Sequence, residues 1–280
     1  MQNSYKSILS KHGLTLKKCF GQNFIFDMDY LDRLVDLAGV TSSDTVIEIG
    51  CGAGTLTRSI AKKAKRVIGY EIDTRLKPIL DDVVADCKNV TINYMDIMKE
   101  NLSSLEKKVG ENYILVANLP YYITTPIVTN FLENAKNVSR MVIMVQKEVA
   151  ERFSANPSSR DYGAITVAIN LRGNASIIME AGKEMFTPPP KVDSAVVRID
   201  IDREKFSNIN FNKVRALVRC AFTSRRKTLV NNLVNGLKLS RERAISALEE
   251  VGISADARGE TLSASEFAFL SEVLGEELNG

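Results

Sequence analysis

The tetrapeptide Asn118-Leu119-Pro120-Tyr121 follows the apolar run Tyr113–Ala117, and its residue types suit one chemical task. The Asn118 side-chain oxygen and the Leu119 carbonyl can both accept hydrogen bonds from an NH2 group. Tyr121 can stack on the planar base that carries such an amine, and Pro120 stiffens the turn. This pattern predicts a site that holds a planar amine while the amine attacks an electrophile.

A second motif lies upstream, where the predicted strand Thr45–Gly50 runs into Gly50-x-Gly52-x-Gly54. Glycines between a strand and a helix let the backbone approach a ligand closely. The dinucleotide fingerprint has its last glycine where this chain has Thr55. The motif therefore favours a cofactor without phosphates, although the same glycines also suit an ordinary strand-to-helix turn.

Two acidic residues, Glu71 and Asp96, close the next two predicted strands. A carboxylate at the first position can accept hydrogen bonds from both ribose hydroxyls, and Asp96 can accept one from an adenine amine. The simpler interpretations are a surface carboxylate and a helix N-cap. These positions, with Gly50 and Asn118, all fall at carboxyl ends of strands, which share one crevice in an open α/β sheet. A phosphate-free adenosine cofactor with such contacts indicates S-adenosylmethionine.

The elements that would position these residues alternate between short strand patterns and helix-length segments. This alternation predicts an α/β, Rossmann-like fold with a mostly parallel sheet and helices on both faces. The segment Tyr162–Leu171 is ambiguous between strand and helix, whereas Ser176–Glu180 is a better strand. The six principal predicted strands are Thr45–Gly50, Arg66–Ile72, Val90–Met95, Tyr113–Asn118, Met141–Gln146 and Ala195–Ile201.

The C-terminal part of the chain has helical patterns instead. Ser240 is a predicted N-cap, and Ser263 with Glu266 forms a predicted capping box. We therefore expect a cofactor-binding catalytic domain over residues 1–205 and a small helical domain over 206–280. The predicted C-terminal helices are Asn212–Phe222, Lys227–Leu233, Ser240–Val251 and Ala264–Leu274.

The bulk composition narrows the class of protein. The 45% hydrophobic and 25% charged residues are ordinary for a soluble protein, and no apolar stretch reaches the roughly 18 residues of a membrane span. The first residues lack the apolar core of a signal peptide, so a cytoplasmic location is expected. Four cysteines without CxxC spacing and one histidine argue against a disulfide framework, a metal site and a Ser/His/Asp triad. The net charge of +3 is weak evidence for an acidic partner.

The motifs together resemble those of the ribosomal RNA adenine dimethyltransferases, in the same order and over nearly the whole chain. Within that family the sequence is most similar to the kasugamycin-resistance branch, which acts on small-subunit (16S) rRNA. The segments that carry the resemblance are Gly21–Asp27, Glu48–Gly54, Glu71, Asp96, Asn118–Tyr121, Phe186–Ser194 and Ala221–Leu229.

The resemblance implies methyl transfer from S-adenosylmethionine to the exocyclic amine of adenine. The reacting base would lie against Asn118, Leu119, Pro120, Tyr121 and Phe186, although a lone phenylalanine is also a common core residue. Tyr162–Leu171 would be helical. Ile25 stands where the family often has leucine. The implied cofactor contacts are Gln22, Asn23, Ile25, Gly50, Gly52, Glu71, Asp96 and Asn118.

Basic residues at two places are predicted to contact RNA phosphates. They are Lys17 and Lys18 near the start of the chain, and Arg225, Arg226 and Lys227 near the start of the helical domain. A solvated helix face is the alternative interpretation. The expected partner is 16S rRNA in a small ribosomal subunit or its precursor, dimethylated at two adjacent adenines of a 3′-terminal hairpin loop. A monomer without a metal or a membrane anchor is expected.

Three other functions remain possible at this point. The macrolide-resistance branch of the same family dimethylates a large-subunit rRNA adenine with the same core motifs. A ribosome-assembly binding factor would dock on the subunit, with methylation secondary. A nicotinamide oxidoreductase is the generic Rossmann alternative, but the glycine spacing and the Asn118–Tyr121 turn disfavour it.

Overall fold

The computed structural model describes residues 23–278, which form two compact units. The first unit contains residues 23–150 together with Ser176–Ile201, and the second contains Glu151–Ala175 together with residues 202–278. The expected boundary after residue 205 lies close to Ile201, where the chain leaves the first unit for the second time. It misplaces Glu151–Ala175, because Tyr162, Val167 and Leu171 pack in the same apolar cluster as the C-terminal helices.

Nine strands are present in the described residues, and seven of them form one sheet in the order β4-β3-β2-β5-β6-β9-β7. Strands β2 to β6 pair in parallel, whereas β9 runs antiparallel to β6. The mostly parallel α/β sheet predicted from the sequence is therefore confirmed. The strands are β1 (Phe24–Ile25), β2 (Thr45–Ile49), β3 (Arg66–Tyr70), β4 (Val90–Asn93), β5 (Tyr113–Asn118), β6 (Val138–Gln146), β7 (Gly173–Ala181), β8 (Phe186–Thr187) and β9 (Ser194–Ile201).

The helices connect these strands and make up most of the second unit. They are α1 (Met28–Leu37), α2 (Thr55–Ala61), α3 (Lys77–Val83), α4 (Leu102–Val109), α5 (Tyr121–Asn134), α6 (Lys147–Phe153), α7 (Ala164–Asn170), α8 (Phe211–Ala221), α9 (Leu229–Leu237), α10 (Arg241–Glu250) and α11 (Ala264–Leu274). Short 3-10 helices span Thr74–Leu76, Ile97–Lys99, Lys183–Met185, Gly259–Thr261 and Gly275–Leu278.

Strand β2 lies at the centre of the first unit and is buried along its whole length. Val46 packs in one apolar cluster with Leu56 and Ile60 of α2, while Ile47 points to the opposite face and is also buried. Burial on both faces explains why the strand is apolar except at Thr45 and Glu48. Because β3 and β5 pair with β2 in parallel along its full length, the carboxyl ends of all three strands lie at one edge.

The second unit is a helical bundle around an apolar core. Segment Tyr162–Leu171 contains helix α7, so its helical interpretation is confirmed. The Tyr162 hydroxyl donates to the carbonyl of Leu262 at 2.8 Å, which fastens this segment to the C-terminal helices. The predicted N-caps Ser240 and Ser263 are also confirmed, the latter in a complete capping box. Among the described residues, no helix has both the length and the apolar character needed to cross a membrane.

Candidate active site

A cavity of about 270 Å³ lies at the carboxyl ends of β2, β3 and β5, within the first unit. This is near the lower end of the usual size range for small-molecule sites. Residues predicted to contact the cofactor and residues predicted to hold the amine line this same cavity. Its lining includes Asn23, Ile25, Gly50, Gly52, Glu71, Asp96, Asn118, Leu119 and Pro120. The predicted contact Gln22 lies outside the described residues.

The glycine-rich loop needs its glycines for both conformation and space. Gly52 has a φ of +57°, and a Cβ atom there would lie 3.0 Å from Phe24 Cε1. Gly54 has a φ of +78° and forms the N-cap of α2. Thr55, where a dinucleotide fingerprint has glycine, donates its hydroxyl to the Ile25 carbonyl at 2.9 Å. The loop is therefore bound to strand β1, which belongs to the Gly21–Asp27 segment of the family resemblance.

Glu71 holds the glycine-rich loop from the end of β3. Its carboxylate accepts hydrogen bonds from the backbone N–H groups of Gly52 and Asp73, each at 2.8 Å. Burial raises the pKa of this carboxyl, while these two N–H groups oppose the shift. An ionised carboxylate has about four acceptor positions, so two bonds to the backbone leave capacity for hydroxyl groups of a ligand.

Asp96 combines the two interpretations that the sequence left open. Its Oδ1 accepts from the Met98 N–H at 2.9 Å and caps the 3-10 helix Ile97–Lys99. Oδ2 accepts no hydrogen bond from the residues that the structure describes. Asp96 also lines the cavity, so one oxygen stabilises the local turn and the other remains for a ligand.

The amide of Asn118 has a defined orientation at the end of β5. Its Nδ2 donates to the Asn23 carbonyl at 3.4 Å, a long hydrogen bond. This leaves the side-chain oxygen as the acceptor for another group. Pro120 follows as the N-cap of α5, which begins at Tyr121. The arrangement offers an oxygen acceptor at a rigid turn beside the glycine-rich loop, as an amine-binding site requires.

Phe186 lies elsewhere than predicted. It pairs with Ile25 across the two-stranded β1–β8 ribbon, is 3% exposed, and belongs to the apolar core cluster of the first unit. It is not among the residues that line the cavity. The core interpretation therefore fits this residue better than stacking on a base. Its packing supports Ile25, which does line the cavity.

Two residues whose side chains could take part in binding or chemistry were not singled out in the sequence. Tyr122 lines the cavity and is 70% exposed. The sequence feature that could have indicated it is a second tyrosine directly after Asn118–Tyr121. Glu48 is fully buried one residue from the glycine-rich loop, and neither oxygen forms a hydrogen bond within the described residues. Burial raises its pKa to about 7, with Thr57 and Cys51 as its polar neighbours. The signal was an acidic residue inside an otherwise apolar strand.

The predicted RNA contacts separate into different environments. The Arg225 guanidinium is engaged with the protein, since it donates to the Tyr162 carbonyl at 2.6 Å and to Glu260 at 3.1 Å. Arg226 and Lys227 are exposed. Lys17 and Lys18 lie outside the described residues. The basic triplet therefore contains one internally bonded cation and two that face solvent.

Comparisons of sequence give a consistent result. The family model described as ribosomal RNA adenine dimethylase matches residues 13–275. The chain is 43% identical to the ribosomal RNA small subunit methyltransferase A of Bacillus licheniformis, an alignment that covers 98% of this chain and 96% of that protein. It is 42% identical to the protein of the same name from Geobacillus thermodenitrificans, with 96% and 94% covered.

Comparisons of structure extend to more distant proteins. A dimethyladenosine transferase from Plasmodium falciparum superposes with a TM-score of 0.79 at 25% identity, covering 91% of this chain and 98% of that one. The 23S rRNA methyltransferase ErmE superposes with a TM-score of 0.70 at 26% identity, covering 91% and 100%.

Proposed function

Because the chain belongs to the ribosomal RNA adenine dimethylase family, we propose that it dimethylates the exocyclic amine of two adjacent adenines in small-subunit 16S rRNA. The observation that carries this proposal is the position of Asn118, which lines the cavity together with Gly50 and Gly52 of the glycine-rich loop. The protein is an S-adenosylmethionine-dependent enzyme, and its own residues fit that cofactor.

The fit to S-adenosylmethionine depends on the donors and acceptors at the cavity. The buried Glu71 carboxylate provides acceptors for ribose hydroxyls, and Asp96 Oδ2 provides one for the adenine amine. Gly52 has no side chain where Phe24 already fills the space, so the backbone forms the wall of the site. The loop lacks the third glycine of a pyrophosphate cradle, in keeping with a ligand without phosphates.

The bound cofactor supplies an electrophilic methyl group on a sulfonium. The adenine amine is a poor nucleophile because its lone pair is delocalised into the ring. In the proposed mechanism the Asn118 side-chain oxygen and the Leu119 carbonyl accept both N–H bonds of the amine. This would favour a pyramidal nitrogen with a localised lone pair, so the part of these residues in catalysis is mainly positioning of the amine.

No strong base is needed in this mechanism. The methylated amine is cationic when it forms, and it is acidic enough to lose a proton to water. Tyr121, the first residue of α5, is proposed to stack on the extruded base. Tyr122 adds an exposed aromatic ring at the rim of the same cavity. We assign Phe186 a supporting role, because it is buried in the core and pairs with Ile25, which lines the cavity.

The choice between the two branches of the family favours the small subunit. The relatives at 42% and 43% identity carry the name of a small-subunit methyltransferase, whereas the 23S rRNA enzyme is 26% identical. We further propose that the protein acts as a monomer, without a metal, in the cytoplasm where ribosomes assemble. The predicted site in a 3′-terminal hairpin loop belongs to this proposal.

The decisive experiment is transfer of labelled methyl groups to purified, unmethylated small ribosomal subunits, with protein-free large-subunit rRNA in parallel. Dimethyladenosine formed only in the small subunit is the expected result. Label only in the large-subunit RNA would move the protein to the macrolide-resistance branch. Cofactor binding with label in neither RNA would favour a binding factor. S-adenosylhomocysteine, but not NAD, should raise the melting temperature.

A further inference from the structure

Tyr122, the second residue of α5, is the most exposed large hydrophobic side chain in the part of the chain that the structure describes. It is 70% exposed and also lines the cavity. An aromatic ring in this position keeps its apolar face in contact with water until a ligand covers it. The exposure and the position of Tyr122 together indicate a contact with a ligand.

The side chain of Tyr122 has no role in holding the fold together. Within the described residues its hydroxyl forms no hydrogen bond and its ring forms no aromatic pair. By contrast, the hydroxyls of Tyr30, Tyr94, Tyr113 and Tyr162 each donate to an acceptor inside the protein. A substitution of Tyr122 should therefore cost the folded protein little stability.

The backbone that carries Tyr122 is fixed by the first turn of α5. The Pro120 carbonyl accepts hydrogen bonds from the Ile123 N–H at 3.1 Å and from the Thr124 hydroxyl at 3.3 Å. Leu119, directly before this turn, is buried, and Thr124 is buried as well. A tyrosine on a fixed backbone restricts only two side-chain torsions when it binds, so the entropic cost of a contact is small.

Tyr122 belongs to the part of the cavity that is proposed to hold the substrate. It lies four residues after Asn118, the proposed acceptor for the amine, and both residues line the cavity. The other exposed apolar side chains at the cavity lie within two residues of the carboxylates that are proposed to contact the cofactor. They are Ile72, Met95 and Met98. We therefore expect Tyr122 to contact the RNA substrate and not the cofactor.

We propose that Tyr122 stacks on the base next to the reacting adenine and thereby helps the enzyme to recognise two adjacent adenines. This inference rests on the proposed function, which supplies the pair of adenines in one RNA strand. Only one amine at a time can be held at Asn118, so the neighbouring base stays at the mouth of the cavity.

The position of Tyr122 on its helix supports a separate role for this residue. Consecutive positions of a helix do not face each other, so a ring at position 122 does not replace the ring proposed to stack at position 121. A purine also offers a larger face for stacking than a pyrimidine does. Tyr122 would therefore favour adenine at the neighbouring position through stacking strength, without a hydrogen bond to the base edge.

The first test measures methyl transfer by the full chain and its variants to unmethylated small ribosomal subunits. Tyr122→Ala should lower kcat/KM by roughly 5- to 100-fold, mainly through a higher KM, because stacking on one base is lost. Tyr122→Phe keeps the ring and should behave as wild type. Phe269→Ala is the matched control, since Phe269 is an aromatic residue of α11 that is 55% exposed and does not line the cavity.

Two further measurements separate a substrate contact from other roles of the ring. In Tyr122→Ala the melting temperature and the affinity for S-adenosylhomocysteine should both equal those of wild type. A loss of affinity for S-adenosylhomocysteine in proportion to the loss of kcat/KM would make Tyr122 a cofactor contact and would overturn the proposal. A wild-type KM in Tyr122→Ala would overturn it as well.

The identity of the stacked base is tested with subunits in which each of the two adenines is replaced in turn by uridine, so that a single target remains. Where the uridine occupies the position that Tyr122 contacts, Tyr122→Ala should lower kcat/KM less than it does on unaltered subunits. Equal effects of Tyr122→Ala on unaltered subunits and on both altered kinds would exclude a contact with the neighbouring base.

Transfer by the wild-type protein separates failure of this inference from failure of the proposed function. If the wild-type protein methylates small subunits and Tyr122→Ala does so equally well, only the role of Tyr122 is overturned. If the wild-type protein binds S-adenosylhomocysteine but transfers no methyl group to the subunits, the proposed function fails, and the base that Tyr122 would contact is lost with it.

Discussion

The carboxylate of Glu71, at the end of β3, accepts a hydrogen bond of 2.8 Å from the backbone N–H of Gly52, in the loop after β2. One side chain thereby fixes the distance between two adjacent strand ends. The second oxygen accepts from the Asp73 N–H in the same way. Glu71 therefore shapes the cavity as well as offering acceptors to a ligand, and the two roles should be lost together.

We expect Glu71→Gln to weaken cofactor binding and lower stability at once. A side-chain NH2 cannot accept, so one of the N–H groups that Glu71 now binds would lose its partner, at a cost of roughly 1–3 kcal/mol. Urea unfolding measures the stability, and calorimetry with S-adenosylhomocysteine measures the binding. Glu249→Gln, at an exposed helix position, is the control. Unchanged affinity for the nucleoside would contradict the role of Glu71 in the cofactor site.

Gly52→Ala tests the close approach of the glycine-rich loop to Phe24. Gly110 is a matched control because it also has a positive φ, +76°, but nothing lies within 4 Å of its Cβ position. Both alanine variants should lose about 1–2 kcal/mol from the left-handed backbone. Only Gly52→Ala should also weaken S-adenosylhomocysteine binding, because the ring at 3.0 Å must move. Equal effects of the two variants in thermal unfolding and calorimetry would contradict the proposal that the close approach of Gly52 to Phe24 shapes the cofactor site.

Asn118→Ala should reduce methyl transfer by roughly 100-fold or more, because the amine would lose the acceptor that orients it. The side chain is partly exposed and makes only a long hydrogen bond, so the melting temperature should change little. Single-turnover transfer to unmethylated small subunits is the measurement. Retained transfer at the wild-type rate would rule out the proposed positioning of the amine.

Glu48 should make stability depend on pH. Burial raises its pKa to about 7 from 4.5, and the nearby Glu71 carboxylate acts in the same direction. Between pH 4.5 and about pH 7, Glu48 has released its proton in the unfolded chain but still holds it in the native protein. The free energy of unfolding therefore falls as pH rises through this range, and it levels off above about 7.

Glu48→Gln removes this titration. Relative to wild type, the variant should gain on the order of 2–3 kcal/mol of stability between pH 5 and pH 8. Urea unfolding at both pH values provides the comparison. The pKa of Glu71 is also raised, so a smaller pH dependence of the same sign should persist in the variant. A pH-independent difference between the two proteins would show that Glu48 titrates normally.

Local patterns in the sequence were sufficient to predict the sheet and the cavity. Strand β5 was predicted with its observed bounds, because parallel strands buried on both faces are continuous apolar runs. Glu71, Asp96 and Asn118 then had to meet, since carboxyl ends of neighbouring parallel strands share one edge. These conclusions need only short-range sequence and the geometry of a sheet.

Packing between segments that are distant in the chain could not be predicted from local patterns. Phe186 was predicted beside the base, but its pairing with Ile25 is a contact that no local pattern indicates. Arg225 has the sequence signature of an exposed cation, yet its bonds to the Tyr162 carbonyl and Glu260 depend on the folded unit. Glu48 was overlooked because burial of a carboxylate is a property of the complete sheet.

The second unit is assembled from two stretches of chain, and this affects how the protein is made. Helix α7 is synthesised early, but the residues that cover Val167 and Leu171 include Phe267 and Leu270, close to the C-terminus. During translation Val167 and Leu171 therefore lack these packing partners until α11 has emerged from the ribosome. Truncation shortly before α11 should therefore leave Val167 and Leu171 exposed and make the chain prone to aggregation.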